Sequence, residues 1–89
     1  MNAPALLRIA SETLEARGKE YDKPEGERSM KSAVSVFNAA TGRDLTETEG
    51  WAFMCSLKMV RNFIGDKSHS DSLIDLIAYS ALMAESANV

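Results

Sequence analysis

Apolar residues recur along this 89-residue chain at spacings of three and four. They nowhere alternate with polar ones, so the pattern is that of amphipathic helices rather than strands. Leu6, Leu7, Ile9, Ala10, Thr13 and Leu14 form one stripe. It predicts a first helix over Pro4 to Arg17, with Asn2 or Ala3 before a proline suited to the first turn and Gly18 as the stop. "GKEYDKPEGE", residues 18 to 27, reads as a loop rich in turn formers and charges. Met30, Ala33, Val34, Phe37 and Ala40 mark a second helix over Glu27 to Ala40, ended by Gly42.

"TETE" then places Thr46 as an N-cap with Glu49 three residues later, the spacing of a capping box. It opens a third helix reaching Ile64, with Gly65 behind it. "DKSHS" turns the chain, Ser68 or Ser70 caps, and a fourth helix runs to Ala87. Four helices joined by short connections predict an all-α protein, a compact antiparallel four-helix bundle in a single domain over residues 1 to 89. A core this small leans on association, so a homo-oligomer is the expectation.

Composition narrows the function. Hydrophobic residues make up 45% and charged residues 26% of the chain, which is globular rather than disordered. A net charge of −3 argues against a protein held to nucleic acid by phosphate contacts. No apolar run is long enough to cross a bilayer and no secretory leader is visible, so the expected location is the cytoplasm. Cys55, the single cysteine, excludes an internal disulfide and reads as a small buried hydrophobe.

Candidate chemistry gathers at one end of the bundle. On a wheel of about 100° per residue, Asp71, Asp75, Ala78, Tyr79 and Leu82 share a face of the fourth helix. Two carboxylates thus begin a stripe that turns apolar. Trp51, Met54, Lys58 and Arg61 give the third helix the mirror pattern, an apolar stripe ending in two cations. The short turn makes these helices antiparallel neighbours, which puts Lys58 and Arg61 beside Asp71 and Asp75. The loop after the first helix brings Lys19, Glu20, Tyr21, Asp22 and Lys23 to the same rim, and His69 sits in the turn beside it.

Each piece alone reads as an ion pair or a favourable helix-dipole placement. Their convergence suits a polar ligand better, because desolvation largely cancels what a buried ion cluster gains in stability. Cations suit phosphates, and a carboxylate pair suits a hydrated magnesium ion.

Three segments carry a family resemblance: "RGKEYDKPE", "LTETEGWAFMCSLKMVR" and "HSDSLIDLIAYSALMAE". In this order they resemble a family of small phage and prophage proteins of unknown function. That family is similar to the phage nucleotide-modification-associated domain and, more distantly, to all-α nucleoside triphosphate pyrophosphatases of the MazG and dUTPase type. The resemblance implies Lys19 and Tyr21 as loop contacts, Lys58 and Arg61 as phosphate contacts, and Asp71 and Asp75 as an acidic pair for magnesium.

The enzymes carry E-E-x-x-E on one helix and E-x-x-D on another. Here Leu57, Lys58 and Arg61 stand where further acids are expected, a thin set for phosphoanhydride hydrolysis. Two expectations follow. One is a nucleotide-binding protein, either a degenerate pyrophosphatase or a nucleotide-sequestering anti-defence protein. The other is a non-enzymatic interaction protein that binds a host factor.

Overall fold

The structure is a computed structural model that describes residues 1–21, 29–65 and 70–89, without the side chains of residues 20, 21 and 70. Four helices follow one another: α1 (Ala3–Tyr21), α2 (Ser29–Thr41), α3 (Glu47–Phe63) and α4 (Ser70–Ser86). The protein is an all-α bundle, and no strand occurs among the described residues. Helix α4 packs between α1 and α3, and α2 packs on the far side of α3.

Helix ends follow local chemistry closely. Thr46 Oγ1 accepts from the Glu49 amide at 3.1 Å, and the Thr46 amide donates to Glu49 Oε1 at 2.9 Å, so the expected capping box closes. Gly42 ends α2 at φ +71°, its amide donating to the Asn38 carbonyl at 2.9 Å. The Asn38 side chain then pins the connection to α3: its Nδ2 donates to the Leu45 carbonyl and its Oδ1 accepts from the Leu45 amide.

One boundary differs from expectation. Helix α1 runs through Gly18 and on to Tyr21. Gly18 is buried and keeps a negative φ, so it stays inside the helix instead of turning left-handed. A mid-helix glycine costs about 1 kcal/mol relative to alanine, and its neighbour Arg17 is tied to Asp75 of α4 at 2.9 Å.

The core centres on Trp51 and Cys55 of α3 with Tyr79 and Leu82 of α4, flanked by Leu14, Met30, Met54, Leu76 and Met83. Cys55 is buried, as its place in a helical pattern implies. Alanines at Ala10 and Ala78, both buried, let α1 lie close against α4. Gly50 does the same for α2 and α3: a Cβ there would sit 2.5 Å from Met30 Sδ and 2.9 Å from Val34 Cγ1. No described helix is long and apolar enough to cross a membrane.

Candidate functional site

Three helices each send one charged side chain to a single point. Asp75, in the second turn of α4, accepts from Arg17 of α1 at 2.9 Å through Oδ1. Through Oδ2 it meets the Lys58 ammonium of α3, also at 2.9 Å. Lys58 is only 9% exposed, although it is a lysine. Lysines are seldom buried to this extent without a partner, and here the partner comes from the neighbouring helix.

The floor of the cluster is aromatic. The Arg17 guanidinium lies 5.6 Å from the centre of the Tyr79 ring, and the Lys58 ammonium lies 5.7 Å from it. Both are within cation–π range. Tyr79 in turn stacks on Trp51 with centroids 5.4 Å apart and planes at 29°. Thus one ring joins the apolar core to two cations, which is why the α4 stripe can change from acidic to apolar within two turns. Tyr79 packs, as its position implies.

A cleft of about 320 Å³ opens beside the cluster, lined by Ile9, Thr13, Arg17, Asp71, Ile74 and Asp75. Asp71 stands exposed on its rim, one helical turn before Asp75. The expected acidic pair is therefore divided: Asp75 is held inside by two cations and Asp71 faces solvent. Both Asp75 oxygens already accept from cations, so a metal ion there would compete with Arg17 and Lys58. Among the described residues no group of three or more metal-ligating side chains occurs.

Two expectations about the cations change. Arg61 is exposed and takes no part in the ion pairs to Asp75. The buried face of α3 runs Trp51, Cys55, Lys58 and then the half-buried Asn62, at spacings of four, three and four. Arg61 falls about 60° away from Lys58 around the helix. The second cation is Arg17, which sequence reasoning passed over in favour of residues beyond Gly18. Its signal was the "RG" of "RGKEY", at the end of an otherwise apolar stripe.

Lys19 is exposed on the last turn of α1. Asp22, Lys23, His69 and the side chains of Glu20 and Tyr21 lie outside the described residues. Asn62 Oδ1 is buried without a hydrogen-bond partner among the described residues, four residues beyond Lys58.

A family model described as "Domain of unknown function (DUF6378)" matches residues 5–87. No curated protein and no solved structure matches the chain.

Proposed function

We propose that this chain, which belongs to the DUF6378 family, binds a phosphorylated nucleotide at the charged end of its bundle. The observation that carries the reading is the convergence of two cations, Arg17 and Lys58, on one carboxylate beside an open cleft. Arg17 lines the cleft beside Asp71 and Asp75, and Lys58 pairs with Asp75, so the guanidinium is the group there that would meet a phosphate. Arginine and lysine are the side chains best suited to phosphate. The cleft is at the lower end of the volumes that hold small ligands, enough for a phosphate and part of a sugar.

Binding is favoured over hydrolysis. Among the described residues, Asp75 is paired with its cations and Asp71 lies on the rim, so a catalytic metal would find one unpaired carboxylate there. The sequence likeness to MazG-type pyrophosphatases supports a degenerate relative that retains the nucleotide and has lost the chemistry. Its likeness to phage proteins supports a role in sequestering a nucleotide used by host defence.

The test is a thermal-shift screen against nucleotides, including cyclic and dinucleotide forms, with and without magnesium, repeated on Arg17→Ala and Lys58→Ala. A ligand at a hundred times its dissociation constant adds roughly 2.7 kcal/mol of apparent stability. The reading expects a shift in the natural protein that both variants lose while their helical circular dichroism is unchanged. A flat screen with a well-folded protein would sink it.

The alternative is a non-enzymatic protein that binds a host factor. The exposed Phe53, Phe63 and Ile64 favour it, because apolar side chains of this size in the open mark contact surfaces. It expects the Arg17 and Lys58 variants to keep partner binding.

A further inference from the structure

Helix α3 with its C-cap Ile64 has a second apolar face that the described elements leave largely open, Leu57 being half-buried within it. Phe53, Leu57, Val60 and Ile64 follow one another at spacings of four, three and four, the rhythm of a helix-pairing seam. Phe53 is 69% exposed, Val60 49% and Ile64 76%. On the helical wheel this stripe lies more than 90° from the Trp51–Cys55–Lys58 face that meets α4. Helix α2 meets only the first half of α3, through Met30 and Val34 at Gly50. A nearly wholly apolar groove of about 380 Å³ continues the stripe there, between Ala33 and Phe37 of α2 and Phe53 and Met54 of α3.

We propose that this α3 stripe, with Phe37 beside it, docks a second copy of the chain. Area is the first argument. A folded monomer of this mass is expected to expose about 5,100 Å², whereas this chain exposes 6280 Å². The excess of about 1,200 Å², summed over the whole chain and not over the stripe alone, leaves room for the roughly 800 Å² that each partner buries in a standard protein interface. The radius of gyration points the same way, at 13.9 Å against about 12 Å for a compact domain of this length.

Charge is the second argument. A two-fold interface sets a surface against itself, so any charge in it faces its own sign. Between Phe53 and Ile64, the side chains on this arc of α3 are apolar or serine, and the charged α3 residues nearest to it, Glu49 and Arg61, flank it on opposite sides. Such a surface is self-complementary without adjustment.

Sedimentation velocity over a wide range of protein concentration tests the proposal, on the full chain and on Val60→Glu/Ile64→Glu. Neither residue belongs to the core cluster. The natural chain is expected at twice its 9.7 kDa mass, the variant at the single-chain mass with its helical circular dichroism retained. A natural chain that stays single at every concentration would overturn the proposal and leave the stripe to a different protein. A variant that still pairs would overturn it too, because assembly would then use another face.

Should the variant unfold, two further measurements decide. A natural Tm that rises with protein concentration, together with a Leu7→Glu control on α1 that stays paired, upholds the proposal. A natural Tm independent of concentration rejects it.

Discussion

The Lys58 ammonium and the Arg17 guanidinium hold opposite oxygens of the same carboxylate, each at 2.9 Å from Asp75. The three charges are therefore not equivalent. Removing either cation leaves Asp75 with the other, whereas removing Asp75 strands the Lys58 ammonium, whose side chain is 11% exposed, near the Arg17 guanidinium over the Tyr79 ring. Breaking a buried ion pair from the side that strands a charge costs about 3–5 kcal/mol. Losing one of two hydrogen-bonded partners costs closer to about 1 kcal/mol. Asp75→Ala is thus expected to lower the urea midpoint far more than Lys58→Met does. Equal losses in the two variants would mean that the cations do not share the carboxylate.

Adding one methyl group at Gly50 tests the α2–α3 contact. Alanine has the better helix propensity by about 1 kcal/mol, so in an open helix Gly50→Ala would stabilise. Here the new Cβ meets Met30 Sδ at 2.5 Å and Val34 Cγ1 at 2.9 Å. Met30 can swing away, but the branched side chain of Val34 has little freedom within a helix. Overpacking of this kind costs about 1–3 kcal/mol. A net loss of stability is expected, recovered in the double variant Gly50→Ala/Val34→Ala. A stabilised single variant would show that α2 can move off α3 freely.

Asn38 makes a comparable clamp with polar atoms. Its amide spans the α2–α3 connection, donating to the Leu45 carbonyl at 2.9 Å and accepting from the Leu45 amide at 2.8 Å. Asn38→Ala removes both bonds and leaves two backbone groups to find water. A loss of about 1–3 kcal/mol follows. Faster amide exchange at Leu45 should accompany it, and unchanged exchange there would contradict the clamp.

What was legible in the sequence divides along the range of the interaction. The Thr46–Glu49 box and the Gly42 stop depend on residues within four of each other, and both stand as expected. The meeting of Lys58 with Asp75 was also readable, because a short turn fixes α3 and α4 as antiparallel neighbours. Gly18 misled because a glycine stops a helix only where the chain turns left-handed, and here it is buried within α1 at negative φ.

Arg61 misled for a geometric reason. From Trp51, a stripe through Met54, Lys58 and Arg61 and one through Cys55, Lys58 and Asn62 are both helical. Only the placement of α4 chooses between them. Arg17 met the same limit: its place at the end of an apolar stripe was visible, but nothing local names an aspartate 58 residues away as its partner.

Acid should loosen the start of α3. The Glu49 carboxyl is held below the ordinary 4.5 of a glutamate, first by the Thr46 amide that donates to it and then by the Thr46 hydroxyl. A carboxyl whose folded value is depressed binds its proton more readily in the unfolded chain. It therefore adds stability above the unfolded value near 4.5, and that contribution is lost as pH falls through the lowered folded value. Glu49→Gln keeps the shape and a hydrogen-bonding oxygen but cannot ionise. Melts at neutral pH should show the natural chain more stable than Glu49→Gln, with the gap closing as pH falls below 4.5 and through the lowered folded value. A gap that persists in acid would mean that the box is held by its hydrogen-bond geometry alone and not by the charge on Glu49.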